Sequence, residues 1–433
     1  MARSLFLGVL TYSLVLAGIV TMDGGFIALA IPFVTYLLAG FLHSPGEVRL
    51  EAVRHLSNER VVPNSDVLVT VTVTNRGSDL EEVLLDDAVP AKLAVRFADE
   101  KRRLKPSRHL VTLARGASYT FAYTVSGPRG GYGFEHVEAT VSDRLAATRQ
   151  KVRVEAKGQL FVFPSVTRLR QVSIRPRRTR VYAGSIPARV GGSGTEFFGV
   201  REYQPGDPSR AINWRASAHY EDLMFANEFQ QERVADVGIV LDGRLRSNEF
   251  AGGHSLFEYS VQAAAALADA LLAQGNHVGL LLYATFLRWT APGYGKVQRE
   301  RILHALAHAQ TGESQVFSDL ANLPTRLFPV ESQIILVSPL IEDDLEVLVR
   351  LRAQGYQVLL VSPNPAKFEL SYLPKTQNME LAGRVVLMER TLLLQKVQHA
   401  GVQVLDWDVS EPFDLVVKRK LSRPPAWLRA VGR

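Results

Sequence analysis

Few side chains in this 433-residue chain are placed to do chemistry. Asp242 closes a continuous apolar run, Val237–Leu241, and in parallel α/β sheets ligands bind at the carboxyl ends of the strands. Arg244 and Arg246 follow it at alternate positions. A guanidinium has no lone pair for a cation and brings positive charge of its own. The expectation is therefore that Asp242 pairs with Arg244 or Arg246 and that the place is metal-free, with Asp242 the one weak metal candidate. A later run, Ile334–Val337, ends at Ser338 with Glu342, Asp343 and Asp344 behind it; Ser247 and Thr311 are further hydroxyls within reach of a shifted geometry. His304 and His308 stand four apart on one helix face, a spacing compatible with zinc, but lack the accompanying acid and read as ordinary helix histidines. Gly191-Gly192-Ser193-Gly194 lacks the Lys-Ser/Thr ending of a phosphate loop. With zero cysteines, thiolate nucleophiles, thiolate metal sites and disulfides are excluded. No nucleophile elbow or dinucleotide fingerprint is present, so no catalytic residue and no cofactor is expected.

A second group mixes charge with aromatic surface. Glu196, Arg201, Glu202, Asp207, Arg210 and Arg215 interleave with Phe197, Tyr203, Ile212 and Trp214, and Gly206 stands in their midst. Two roles fit this alternation. It makes a partly buried ion-pair network that pins the segment to a core, or it forms a surface for a partner. Just upstream, Arg175-Pro176-Arg177-Arg178-Thr179-Arg180 packs four arginines into six residues. Such a run is a solvated loop paired with nearby acids, or a patch for an acidic partner or anionic headgroups.

The elements that must carry these groups follow from patterning. Residues are 47% hydrophobic and 21% charged, a globular composition, and the net charge of +7 is mild. Leu5–Met22 and Phe26–Leu42 are apolar runs separated by Asp23-Gly24-Gly25. Each spans roughly 25–27 Å as a helix, enough for the hydrocarbon core. Arg3 precedes them, Arg49, Arg54 and Arg60 follow, and the turn has no Lys or Arg. A transmembrane helical hairpin over residues 1–47 is expected, kinked at Pro32, with both ends and all soluble domains cytoplasmic. The alternative is a cleaved signal peptide ending at Ala28-Leu29-Ala30, but the apolar run before that site is too long and a second continues past it. Residues 48–155 alternate with period two, most clearly Val67, Val69, Val71 and Val73 against Leu68, Thr70, Thr72 and Thr74, and predict an antiparallel, immunoglobulin-like β-sandwich. Residues 156–234 read as a linker carrying the charged–aromatic segment. Over 235–410, apolar strands alternate with amphipathic helices, which predicts a mainly parallel α/β sheet of Rossmann type covered on both faces. Gly275 and Gly355 cap helices within it. Residues 411–433 remain as a basic tail.

The run from Gly194-Thr195-Glu196-Phe197 through Arg201-Glu202-Tyr203-Gln204-Pro205-Gly206-Asp207 and Arg210-Ala211-Ile212-Asn213-Trp214-Arg215 to Ser217-Ala218 resembles the signature of domain-of-unknown-function family 58. Pro128-Arg129-Gly130-Gly131-Tyr132-Gly133 is similar to a loop of the same family. The resemblance implies that the α/β domain is of the von Willebrand factor A-like type, beginning with the strand that ends at Asp242. Such domains often carry an adhesion-type metal site, Asp-x-Ser-x-Ser; here Arg244 and Arg246 occupy both serine positions. The resemblance also implies a protein of the cell membrane that acts beside a MoxR-type AAA+ ATPase.

Together these readings predict a multi-pass, membrane-anchored, non-catalytic scaffold or adaptor. Its partners would be the ATPase and the lipid bilayer, with no nucleic acid, because aromatic residues do not interleave with Lys and Arg on a stacking platform. The candidate partner-binding or structural residues are Glu196, Arg201, Glu202, Tyr203, Gly206, Asp207, Arg210, Trp214 and Arg215. The competing reading is a metal-dependent adhesion or hydrolase-type protein using a degenerate site at Asp242.

Overall fold

A computed structural model describes residues 2–42, 47–97, 107–142, 149–170, 172, 174, 180–220, 223–314, 316–317 and 319–421; at 2–5, 39–42, 97, 180–196, 198 and 229–233 it describes the backbone alone. The chain is a mixed α/β protein with several sheets and divides into two compact units, Met1–Phe163 and Pro164–Arg433. The sequence reading ended the β-rich part near residue 155; the last strand of that part runs on to Val162.

The first unit begins with α1 (Ala2–Thr21) and α2 (Gly24–Leu42), with Pro32 inside α2. Met22 takes positive φ between them, and the Asp23 carboxylate accepts the Gly25 amide at 2.8 Å, which starts the second helix. Nine strands follow: β1 (Leu50–Leu56), β2 (Arg60–Val61), β3 (Val67–Asn75), β4 (Leu80–Asp87), β5 (Ala94–Phe97), β6 (Arg108–Leu113), β7 (Ser118–Ser126), β8 (Gly130–Ser142) and β9 (Arg149–Val162). They form one sheet ordered β1-β3-β7-β5 and another ordered β2-β9-β8-β4-β6. The alternating valines of β3 are all buried and meet Phe121, Tyr123, Leu85, Val137 and Val154 in one core drawn from both sheets. Within that core Arg54 pairs with Asp87, which also accepts the Tyr123 hydroxyl, while Arg54 donates to the Ala156 carbonyl. The guanidinium lies over the Phe134 ring, 4.9 Å from its centroid.

The second unit starts with β10 (Arg180–Glu202) and β11 (Phe225–Val234), an antiparallel ribbon bearing the short helix α3 (Trp214–Ser217) between its strands. Residues 156–234 are thus largely strand rather than a featureless connector. Next come β12 (Asp236–Asp242), the small hairpin β13 (Phe250–Ala251) and β14 (His254–Ser255), α4 (Leu256–Ala273), β15 (His277–Tyr283), β16 (Leu287–Gly293), α5 (Gly295–Ala307), β17 (Gln333–Val337), α6 (Leu345–Ala353), β18 (Gln357–Pro363), α7 (Pro365–Leu370), α8 (Gln377–His399), β19 (Gln403–Trp407) and α9 (Phe413–Leu421). Six strands make a sheet ordered β16-β15-β12-β17-β18-β19, parallel throughout except for the edge strand β16. Strands buried on both faces require continuous apolar sequence, and Ile334–Val337 and Val358–Val361 supply it. Gly238 in β12 has Phe328 packed over it, where a Cβ would lie 2.2 Å from the ring. Among the described residues α4 is the one helix long and apolar enough to cross a bilayer, but it is mostly buried and serves as the core helix of this sheet; α1 and α2 are apolar over the shorter stretches Phe6–Thr21 and Gly24–Leu38. Around the parallel sheet, the edge strand β16, the helix α7, the first half of α8 and α9, which occupies the start of the expected tail, were not legible in the sequence.

Candidate functional site at the ends of the parallel strands

From β12 the chain crosses first to β15 on one side and later to β17 on the other, so the carboxyl ends of β12 and β17 flank the point where strand order reverses. Ligands of open α/β sheets lie at such a point. Asp242 ends β12 there and Ser338 follows β17; both are fully buried. The space between them is filled by the chain itself. Arg244 is 2% exposed. Its backbone amide and Nε donate to Asp242 Oδ1 at 3.0 and 2.9 Å, and Nη2 donates to Oδ2 at 2.8 Å. The same guanidinium reaches Asp344, with Nη1 donating to Oδ1 at 2.9 Å and Nη2 to Oδ2 at 2.8 Å. Ser247 and Ser338 hydroxyls donate to Asp242 Oδ2 at 2.8 and 2.7 Å. The Ile341 amide donates to Asp344 Oδ2 at 3.2 Å.

Loop geometry enforces this arrangement. Gly243 donates to the Tyr283 carbonyl at 2.7 Å, and Gly312 exchanges backbone hydrogen bonds with Gly243 and Leu245. A Cβ at Gly312 would sit 1.7 Å from Thr285 Oγ1, so the loops meet this closely only with glycine there. On the other side, Leu340 adopts φ 63°, a left-handed conformation that costs a branched side chain energy, and its amide donates to Ser338 Oγ at 3.1 Å. A second buried arginine, Arg390, ties the neighbouring strand ends. It donates to Asp406 Oδ1 from Nη2 at 2.9 Å, to the Pro339 carbonyl at 2.9 Å and to Ser362 Oγ at 2.8 Å.

The electrostatics are those of a sealed ion triad. Burial disfavours the Arg244 charge, but its hydrogen bonds to Asp242 and then to Asp344 outweigh it and raise the guanidinium pKa. Asp344 is pushed upward because burial outweighs its bonds to Arg244. Arg390 is lowered by burial, partly countered by Asp406. The cation place beside Asp242 thus holds a guanidinium, and the carboxylate oxygens that a metal would need are taken by internal donors. Arg246, the other candidate partner of Asp242, points elsewhere and lies 3.5 Å from Asp343 at the surface. A cleft of about 340 Å³ opens beside Arg244, lined also by Leu245, Arg246, Gly312, Glu313 and Phe317. The His304 and His308 rings at the end of α5 are tilted to one another with centroids 4.6 Å apart, and no group of three or more potential metal ligands occurs among the described residues.

The charged–aromatic segment builds a different place. Arg201, at the end of β10, forms a two-pronged pair with Asp207, both contacts at 2.7 Å. Asp207 also accepts the Gln204 amide at 2.9 Å, its carbonyl accepts the Tyr203 hydroxyl at 2.9 Å, and Glu228 stands 3.6 Å from Arg201. These bonds hold Asp207 below, and Arg201 above, their ordinary pKa values. Gly206 supplies the turn at φ 110°. Asn213 accepts the Ala216 amide at 3.0 Å and so caps α3. The structure therefore brings Arg201, Tyr203, Gly206 and Asp207 together. Glu202, Arg210 and Arg215 are exposed, and Trp214 is 68% exposed. The side chain of Glu196 lies outside the described residues, as do the arginines at 175, 177 and 178. The pairs brace a surface turn rather than entering a core, and Phe197, Val200, Leu223 and Met224 join Trp214 as exposed apolar side chains of this segment.

Sequence reasoning found Asp242, Arg244 and Ser338 but not the clamping role of Asp344, which is 100 residues away in the chain. It gave no sign of Arg390 or of the Arg54–Asp87–Tyr123 cluster.

Residues 199–383 match the family model described as protein of unknown function DUF58. The chain is 28% identical over 266 residues to the uncharacterized protein YeaD of Bacillus subtilis (strain 168), a match that covers 60% of this chain and 63% of that protein's length. Among solved structures, it is similar to the CARDB domain of the PF1109 protein from Pyrococcus furiosus, at 15% identity and TM-score 0.17 over 27% of this chain and 93% of that one. It is also similar to proximal thread matrix protein 1 from the mussel byssus, at 14% identity and TM-score 0.25 over 43% and 46% of the two chains.

Proposed function

We propose that the protein is a membrane-anchored, non-catalytic scaffold or adaptor. In this reading α1 and α2 form a transmembrane hairpin, the first unit is an immunoglobulin-like spacer, and the parallel sheet is a von Willebrand factor A-like domain. The observation that carries the proposal is the Arg244 clamp. The place where such a sheet receives a ligand or cation is filled by a buried guanidinium held by two carboxylates, while apolar side chains lie exposed around Trp214. A surface of that kind is for docking. The flanking arginines support a topology with both ends of the hairpin in the cytoplasm. Hydroxyls of Thr11, Ser13, Thr21 and Thr35 are satisfied by carbonyls of their own helices, as lipid demands. The partner proposed is a MoxR-type AAA+ ATPase, which the family resemblance implies.

Affinity isolation from solubilised membranes, with ATP held unhydrolysed, tests this. An AAA+ ATPase is expected with the native chain and lost with Trp214→Ala, while the melting temperature of that variant stays unchanged. Recovery of no ATPase, or equal recovery with the variant, overturns the docking role.

A further inference from the structure

The helix α8 carries two apolar faces. One is buried: Gly383, Arg390 and Val397, seven residues apart, with Leu394, lie against the domain. Gly383 makes close packing with α7 possible, since a Cβ there would meet Leu370 at 2.8 Å. The opposite face bears Leu381, Val385, Met388 and Leu392, each between 52% and 66% exposed. Their spacing of four, three and four is the seam spacing of a coiled coil, and the buried Gly383, Arg390 and Val397 fall on the outer face of that heptad. A surface helix in a soluble domain normally offers one apolar stripe. This helix offers a second that nothing in the described chain covers.

We infer that this stripe pairs with the same stripe of a second copy, with the two helices parallel. Charge pattern selects both occupant and direction. With Leu381 and Met388 at d and Val385 and Leu392 at a, Arg384 is a g position and Glu389 is the e position five residues later. A parallel pair sets Arg384 of each copy beside Glu389 of the other, which gives two ion pairs by symmetry. Neither residue has an ion pair among the described residues of its own chain. An antiparallel pair sets Arg384 by Thr391 and Glu389 by Ala382, with no ion pair. Val385 at one a position and Leu381 at one d position also suit a two-stranded seam. The seam spans under two heptads, so the dimer is a weak one, strengthened where the copies share a membrane. This inference does not depend on the proposed ATPase partner.

The chain has zero cysteines, so single-cysteine variants report without background. The full chain in detergent micelles, with Met388→Cys on the seam and Val386→Cys off it, is oxidised and run on a denaturing gel. Met388→Cys is expected to form covalent dimers at least tenfold faster than Val386→Cys. In sedimentation, Arg384→Glu and Glu389→Arg each weaken self-association at least tenfold, and the two together restore it. All these positions are on the surface, and melting curves check that the variants fold. Equal cross-linking at the two cysteines overturns the inference. So does a native chain that stays monomeric at tens of micromolar, or failure of the double reversal to restore association.

Discussion

Both units bury an arginine, and the two burials differ in what surrounds the charge. In the first unit Arg54 faces one carboxylate, Asp87, and joins the two sheets of a single core; its Nε has no hydrogen-bond partner among the described residues. In the second, Arg244 faces two carboxylates, and its Nε and both terminal nitrogens donate to them. Arg54 sits between sheet faces, where apolar side chains would serve as well. Arg244 sits at the carboxyl ends of parallel strands, where an apolar side chain would strand two aspartates. A buried ion pair by itself is weak evidence of stability, because desolvation offsets attraction. The comparison shows a second use, in which an arginine fills the space between two strand ends. Tyr123 marks the contrast further: its hydroxyl is pushed well above its ordinary pKa by burial and then by Asp87, so it stays a neutral donor that lets Asp87 tolerate enclosure.

The largest expected effect is that of Arg244→Met. It leaves Asp242 and Asp344 enclosed without their cation and should cost about 3–5 kcal/mol, the range for breaking a buried pair from one side. Arg54→Met strands one carboxylate, which keeps the Tyr123 hydroxyl, and should cost about 3 kcal/mol, at the lower edge of that range. Adding Asp87→Leu to Arg54→Met should recover most of that loss, since a well-packed apolar pair replaces buried ions at little cost. Chemical denaturation of the full chain and the single variants checks the order. An Arg54 variant less stable than the Arg244 variant breaks the comparison.

Arg244→Ser sharpens it. The substitution removes the resident cation and leaves two carboxylates and three hydroxyls, a ligand set suited to Mg²⁺. Native protein should melt at the same temperature with chelator or with millimolar Mg²⁺. The variant should be destabilised and then recover on adding Mg²⁺, by about 2.7 kcal/mol when the ion is at a hundred times its dissociation constant. Mg²⁺ stabilisation of the native chain would show that Arg244 does not close the site.

The sequence made the strands legible where burial imposed a pattern. The alternating valines of β3 and the continuous apolar run of β12 have no other economical fold. It was silent where the pattern was not set by the chain's own core. The first half of α8 turns Leu381, Val385 and Met388 outward, so its periodicity does not announce a buried face. The edge strand β16 is half-exposed and contains Pro292, which an edge tolerates and a central strand does not. At the site, adjacency in sequence showed that Arg244 or Arg246 would answer Asp242. Only the parallel register of β12 with β17 brings Asp344 to the other side of the guanidinium, and that register is a property of the folded sheet. Arg201 and Asp207 were legible as members of a charged segment but not as a surface pair, because charge alternation with aromatics looks the same in a brace and in a core.

The smallest expected effect is a pH dependence. Burial raises the Asp344 pKa above its unfolded value near 4, even against the pull of Arg244. A raised folded pKa means that the native state binds the proton more tightly than the unfolded chain. The contribution of Asp344 is then fully favourable below about pH 4 and is lost as pH rises through the folded value. Asp344→Asn removes this titration. The stability gap between the native chain and Asp344→Asn should therefore widen on acidification from about pH 6 to pH 4. Denaturation midpoints of the two proteins across that range measure the gap. A gap that narrows instead would mean that Arg244 holds Asp344 ionised more strongly than burial opposes it, and the triad would then be a true stabilising clamp of the kind that the Arg54 cluster is not.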